Sequence, residues 1–182
     1  MVNVRAADDF DIPSILKLQA KNLITNLSEE EKKNGFVTTP FTEEQLKRLI
    51  KLDGVNVVDN ENEIIGYVLA GGWDYFSQWA MFPFIIERFE KIIFKDIAIT
   101  KQNSFQYGPI CIDIKFRGTD VFPLLFEKMR ESMSSKYQIG ATFINKKNER
   151  SFHAHTLKVK IEVIDEFEYN NNSFYGLAFT TK

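Results

Sequence analysis

The stretch Ile112 to Phe126, IDIKFRGTDVFPLLF, places Arg117, Gly118, Thr119 and Asp120 between strand-forming residues and a run of helical periodicity. The chemistry that suits such a place is anion binding. A helix that starts just after a short turn aims several backbone N–H groups at one spot, at the positive end of its dipole. Glycine lets the backbone approach closely, at positive φ where needed. Arg117 and Gly118 fit that role. Asp120 opposes it, because it sets a negative charge where the anion would sit. At ~6 Å and an effective dielectric constant of ~20–40, repulsion from one phosphate charge is roughly 1.4–2.8 kcal/mol, a ten- to hundredfold loss of affinity. If the carboxylate turns to solvent or caps a helix N–H, the loss is much smaller. Asp also tolerates positive φ better than most residues.

Histidine is the second candidate chemistry. His153 and His155 are two apart, so on a helix they point about 200° away from each other and share no metal site. A histidine titrating near pH ~6.5 can donate a proton, and a structural histidine with satisfied nitrogens is the alternative. Cys111, the one cysteine, lies in the apolar run Pro109 to Ile112. A small buried hydrophobe is its plain reading, and it permits neither an intrachain disulfide nor a cysteine zinc site.

The elements that must hold these residues follow from periodicity. Val2 to Arg5 reads as a first strand. Asp11 caps a helix with Pro13 in its first turn and with Ile12, Ile15, Leu16, Ala20 and Leu23 on one face. Ser28 to Glu31 and Thr42 to Gln45 match the capping box, the second opening a helix through Leu46, Leu49 and Ile50. Val55 to Val58 and Ile64 to Ala70 form a hairpin around Asp59 to Asn62, ended by Gly71-Gly72. Trp73 to Ile93 is aromatic and mostly helical, with Pro83 splitting it in two. Tyr107 to Ile114 reads as a central strand. A helix follows through Phe122, Leu125, Phe126, Met129 and Met133. Ala141 to Ile144 is a short strand and Arg150 to Lys158 a short helix. Ile161 to Glu168 and Ser173 to Thr180 pair around Asn170 to Asn172. This order predicts an α/β (α+β) fold: a mixed, mostly antiparallel central sheet with helices on both faces.

The bulk numbers agree with a globular chain. It has 182 residues, 44% hydrophobic and 26% charged, with net charge −2. That length suits a single domain over residues 1–182 with a real core. The basic runs are short, which argues against nucleic acid as a partner. The N-terminus has no signal-peptide core and no apolar run reaches the roughly 18 residues of a membrane helix. The expectation is a cytoplasmic protein with no membrane partner.

Taken together, the element order, the segment Ile112 to Phe122, and the segment Asn148-Glu-Arg-Ser151-Phe-His-Ala-His155-Thr-Leu-Lys-Val159 resemble the GNAT (GCN5-related) N-acetyltransferases. The first segment resembles that family's strand followed by Arg/Gln-x-x-Gly-x-Gly/Ala. The second resembles its Asn-x-x-Ala/Ser-x-x-x-Tyr, followed by a usual Gly. The departures are Asp120 and Phe122 at the two glycine places, His155 for Tyr, and Val159 for Gly.

The resemblance implies an acyl-CoA-dependent acetyltransferase with acetyl-CoA as cosubstrate. Arg117, Gly118, Thr119, Asp120, Val121 and Phe122 would cradle the pyrophosphate. Ile112, Asp113 and Ile114 would offer backbone to the pantetheine, with an N–H near Ile114 for the oxyanion. Asn148 and Ser151 would lie near the thiol end or the CoA tail. His155 would protonate the departing thiolate. Asp113, Glu87, Glu90 and Asp74 are candidates for a base by location only. The amine would attack the thioester directly, so a base can act through water or be dispensable. The aromatic belt Trp73, Tyr75, Phe76, Trp79, Phe82 and Phe84 packs a core or lines an acceptor pocket.

The acceptor would be a small-molecule or peptide amine, and a homodimer is compatible with the belt. Two other readings stand beside this one. One is a catalytically inactive domain of the same fold that binds a metabolite or protein. The other is an interaction module with the belt as a dimer face.

Overall fold

Two strand pairs show how local residues fix the register. β2 (Val55–Asn60) and β3 (Glu63–Gly71) are joined by Glu61 and Asn62, both at positive φ (52° and 67°). That is the two-residue hairpin turn whose twist matches the strands. The strands therefore take Asp59 and Asn60 from the expected loop. Asn170 and Asn171 turn β8 (Glu162–Tyr169) into β9 (Asn172–Thr180) the same way, at φ 48° and 60°.

In this computed structural model the described residues are Val2–Lys182. The remaining strands are β1 (Val2–Ala6), β4 (Ile93–Phe94), β5 (Ile97–Ala98), β6 (Ser104–Ile112) and β7 (Ile139–Asn145). The helices are α1 (Ile12–Asn22), α2 (Glu29–Lys32), α3 (Glu43–Ile50), α4 (Trp73–Phe76), α5 (Met81–Phe89), α6 (Val121–Met133) and α7 (Glu149–His153). Seven strands bond in the order β1-β2-β3-β6-β7-β9-β8, and β4 and β5 form a separate pair. β6 and β7 are parallel, whereas β1–β2, β2–β3, β7–β9 and β8–β9 are antiparallel. The mixed sheet agrees with expectation.

The chain divides into two compact units, residues 1–70 with 108–132, and residues 71–107 with 133–182. In the first, Ser132 of α6 reaches Asn56 at 3.3 Å, while Arg5 on the other face of the strands grips Asp11 before α1 at 2.7 and 2.8 Å. Laterally paired residues share a face, and Arg5 pairs with Val57, not Asn56. Helices thus cover both faces of this unit.

In the second unit α4 and α5 cover one face. Trp73 donates to Ser104 at 3.0 Å, Phe82 meets Phe143 edge-on, and the Phe89 ring fills the place a Cβ of Gly176 would need. The other face holds Phe105, Tyr107 and Phe179 in edge-on contact. Gly140 admits the Phe179 ring, which lies 2.1 Å from where its Cβ would be.

Several expectations shift. Asp11 stands at the N-cap position of α1 but makes no side-chain cap bond there. Asp8 caps the short 3₁₀ turn Asp9–Asp11 that leads into α1, its carboxylate accepting the Phe10 N–H at 2.8 Å, while Asp11 accepts the Asp8 N–H at 2.9 Å and binds Arg5. On α1 the buried positions are Ile12, Ile15, Leu18, Gln19 and Asn22, with Ala20 exposed. Gln19 is buried because its amide pairs with both backbone groups of Phe41. Both predicted capping boxes form, and Leu46 and Leu49 are buried. The break between α4 and α5 falls at 77–80, ahead of Pro83, which sits in the first turn of α5. There its missing N–H has no helical partner to lose. Ile93 lies in β4, not on the helix, and is exposed. β6 runs three residues earlier than expected and ends at Ile112.

Candidate active site

The first unit carries the strand–turn–helix. β6 ends at Ile112, and the Asp113 N–H donates to Ile65 O at 2.8 Å. A short 3₁₀ turn, Ile114–Phe116, follows. The Asp113 carboxylate caps it by accepting the Lys115 N–H at 3.0 Å. Gly118 has φ +86° with open space around it, so its backbone angle is what calls for glycine. Thr119 Oγ1 donates to Phe116 O at 2.6 Å and accepts the Val121 N–H at 3.3 Å. α6 then begins.

This geometry answers the question that Asp120 poses. Asp120 is exposed and is not among the positive-φ residues. No backbone angle demands glycine there, so its effect on an anion is one of charge alone. Phe122 is buried at 8% exposure, so its ring does not crowd the turn. Two features reduce the donors that α6 can aim outward. Val121 N–H already meets Thr119, and Pro123 has no N–H to give.

Arg117 is engaged by the protein. Its Nε donates to Ile112 O at 2.9 Å, Nη1 donates to Asn34 O, and Nη2 donates to Asn22 Oδ1. Asn22 had no sequence signal for this role beyond being a polar residue on the apolar side of α1. Cys111 is buried, and burial pushes its thiol up to about 12, with the Arg117 charge opposing. It is a neutral packing residue at physiological pH, consistent with the plain reading.

The second unit carries the histidine. Asn148 caps α7 by accepting the Ser151 N–H at 3.4 Å. The helix then widens into a π-type turn, Ala154–Lys158. This turns His155 inward, at 4% exposure, while His153 is exposed. His155 Nδ1 lies 2.7 Å from Ser151 O, which can only accept, so Nδ1 carries the proton. Nε2 is then the acceptor for the Tyr107 hydroxyl at 3.0 Å. Burial lowers His155 to about 4, opposed by the Ser151 carbonyl. His155 is therefore neutral at pH 7, with both nitrogens engaged inside the protein.

Tyr107 was missed by sequence reasoning. Its hydroxyl in an otherwise apolar strand was the signal, because a buried phenol seeks a polar partner. Gln106, its neighbour, donates to Tyr107 O at 2.7 Å and leaves its own Oε1 buried without a partner.

The carboxylates and aromatics divide plainly. Asp74, Glu87 and Glu90 are exposed, and Glu90 accepts the Lys101 N–H at 3.2 Å. Trp73, Tyr75, Phe76 and Phe82 are buried, whereas Trp79 and Phe84 are half-buried. Phe76 and Phe82 lie 4.9 Å apart, and Tyr75 meets Phe76 edge-on at 5.1 Å. Most of the belt is thus core. Among the described residues no cluster of three His, Cys, Asp or Glu could hold a metal, and no helix is long and apolar enough to cross a membrane.

No family model matches this sequence, and no curated protein does. Solved structures do. An N-acetyltransferase from Staphylococcus aureus Mu50 aligns with a TM-score of 0.66 at 15% identity, over 100% of this chain and 99% of its own. A GNAT-family acetyltransferase from Streptococcus pneumoniae aligns at 0.66 and 12%, over 99% of each chain. The putative acetyltransferase yncA from Salmonella typhimurium, solved with acetyl-CoA, aligns at 0.64 and 10%, over 100% of this chain and 94% of its own. The likeness runs from end to end, and at these identities what it establishes is the fold: this chain folds as the GNAT acetyltransferases do.

Proposed function

We propose that this chain is an acyl-CoA-dependent N-acetyltransferase, built as a single domain over residues 1–182, that moves an acetyl group from acetyl-CoA to an amine. One observation carries the proposal. On a fold shared end to end with acetyltransferases, β6 runs into α6 through a turn whose Gly118 adopts the backbone angle that close approach of a phosphate favours.

The proposed roles divide between backbone and side chain. Ile112, Asp113 and Ile114 offer backbone to the pantetheine arm. The Asp113 N–H is already bonded to Ile65 and the Ile112 carbonyl accepts Arg117 Nε, so the pantetheine shares or displaces the bond at Ile112 O and meets the groups around Ile114. Gly118 to Phe122 meet the pyrophosphate through backbone, and Asn148 and Ser151 shape α7 for the thiol end or the CoA tail. The amine nitrogen attacks the thioester carbon, the C–N bond forms, and the C–S bond breaks. His155 holds no spare proton at neutral pH, so we assign it to fixing Tyr107 and α7. The proton shed by the amine then goes to the thiolate directly or through water. The Asp113 carboxylate caps its turn, so the amine enters as the free base. The acceptor is a small-molecule or peptide amine, and the half-buried Trp79 and Phe84 are the belt residues that could meet it.

The test is thermal unfolding against increasing acetyl-CoA, followed by detection of free thiol with a panel of amines. At 100 times its dissociation constant, a ligand adds roughly 2.7 kcal/mol. A saturable rise in midpoint supports the reading, and no rise sinks it.

A second reading is a catalytically inactive domain of this fold that binds a metabolite or protein. The engagement of both His155 nitrogens and the charge at Asp120 favour it. Binding of CoA without thiol release from any amine would select it. A cytoplasmic location is part of the first proposal, and a homodimer is read out by mass in solution.

A further inference from the structure

Ile112 ends β6 with its carbonyl turned away from β3. The trans peptide fixes this: the Asp113 N–H points to Ile65 O at 2.8 Å, so the Ile112 C=O points to the opposite edge. Arg117 Nε meets that carbonyl at 2.9 Å. The same guanidinium holds two places in the segment that follows α1. Nη2 donates to Asn22 Oδ1 and Nη1 to Asn34 O.

Asn22 is itself buried. Its Nδ2 donates to Leu18 O at 2.8 Å, and its carbonyl accepts the Val37 N–H at 2.8 Å. Ile24 N–H donates to Val37 O at 2.9 Å, closing the loop by a bridge between Leu23 and Val37. One side chain therefore ties the end of β6 to both ends of residues 22–34. Its neighbour Gly118 is exposed with nothing near its Cβ position. The turn beside Arg117 is thus open on the Gly118 side.

We propose that Arg117 is a latch opened by a ligand that carries amide N–H groups. Such a ligand, running along the edge of β6 away from β3, donates to Ile112 O in place of the guanidinium. Arg117 then leaves Asn22 and Asn34 as well, and the 22–37 segment loses its tie to the turn. The freed cation stands one residue before Gly118, where it meets a ligand's anionic end. The proposal rests on the acetyl-CoA reading for the ligand, whose pantetheine arm carries two amides and whose other end is a pyrophosphate. It makes Arg117 a positioning residue that alternates between protein and ligand partners.

The experiment is amide hydrogen exchange on wild type, Arg117→Lys and Arg117→Met, each with and without CoA. In wild type, CoA slows exchange over residues 108–113 and speeds it several-fold at Ile24 and Val37. In Arg117→Met, Ile24 and Val37 exchange fast from the start and CoA adds nothing there. Arg117→Lys, with one nitrogen in place of the three that reach the separate acceptors, falls between, and carries the comparison alone if Arg117→Met does not fold. Slower exchange over 108–113 with unchanged or slowed exchange at Ile24 and Val37 overturns the latch and leaves the acetyl-CoA reading standing. Wild-type rates at Ile24 and Val37 in Arg117→Met also overturn it. No CoA-dependent change over 108–122 overturns the acetyl-CoA reading, and the opening step with it.

Discussion

The Tyr107 hydroxyl donates to Nε2 of His155 at 3.0 Å, and both side chains are buried. The pair joins β6 to the π-type turn after α7 within one unit, and it sets the charge state of the histidine. Protonating Nε2 would strip the phenol of its acceptor and place a cation in the core. The cost appears as a shift of His155 down to about 4, caused first by burial and opposed by the Ser151 carbonyl.

Stability should therefore depend on pH through this group. The unfolded chain binds a proton at His155 near pH ~6.5 and the folded chain only near 4. The unfolded state holds more protons between those values, so stability is full above about pH 6.5 and falls as pH drops toward 4. At about 1.4 kcal/mol per pH unit, the loss is on the order of 3 kcal/mol. Urea midpoints at pH 7.5 and 4.5, on wild type and His155→Gln, test it. The wild-type midpoint should fall more than that of the variant. Equal slopes in the two proteins would show that His155 is not held neutral.

Tyr107→Phe removes the donor but keeps the ring against Phe179. His155 Nε2 is then a buried acceptor that has lost the Tyr107 hydroxyl. Such a group costs about 1–3 kcal/mol, and chemical denaturation should show a loss in that range. The loss should shrink in the double variant Tyr107→Phe with His155→Leu, because removing both polar partners is cheaper than stranding one.

Much of the fold was legible because the signals were local. The capping boxes at Ser28 and Thr42 form as read, since each needs only four consecutive residues. The Asn170-Asn171 turn forms for the same reason. Where the reading slipped, a distant partner decided. Asp11 stands at the start of α1, but its carboxylate turns back to the Asp8 N–H and to Arg5, which lies on another element. Gln19 took a core place on α1 because Phe41 satisfies it.

The site was legible as a segment and not as a set of contacts. Ile112 to Phe122 showed a strand, a turn and a helix in order. Nothing in it could show that Arg117 faces Asn22 and Asn34, which lie far away in sequence. His155 stood out as a polar residue, yet its burial follows from the widened turn at Ala154–Lys158 and from Tyr107. Neither leaves a periodic mark.

Gly140 gives a packing prediction in the second unit. A Cβ there would stand 2.1 Å from the Phe179 ring, a distance no real contact reaches. Phe179 is itself wedged against Phe105 and Tyr107 at 5.9 and 5.7 Å. Overpacking of this kind costs about 1–3 kcal/mol or more. Gly140→Ala should lower the unfolding midpoint, and Gly140→Ala with Phe179→Leu should recover part of the loss. No drop in the single variant would mean that the ring moves aside freely.

Asp120 is the sharpest test of the proposed cofactor turn. It is exposed and does not hold a positive φ, so a glycine there relieves no backbone strain. Whatever Asp120 does to an anion it does through charge. Asp120→Asn and Asp120→Gly should therefore raise acetyl-CoA affinity by about the same factor. Two charges ~6 Å apart at an effective dielectric constant near ~40 give roughly 1.4 kcal/mol, about tenfold, and exposure reduces this further. The gain should fade as salt rises above about 0.5 M, where screening acts within a few ångströms. Titration calorimetry on the three proteins at two salt concentrations measures it. A gain for glycine alone would point to a backbone role that the φ angles do not require. No gain for either would mean the carboxylate keeps clear of the phosphates, and that Val121 and Pro123, which limit the N–H donors of α6, set the affinity instead.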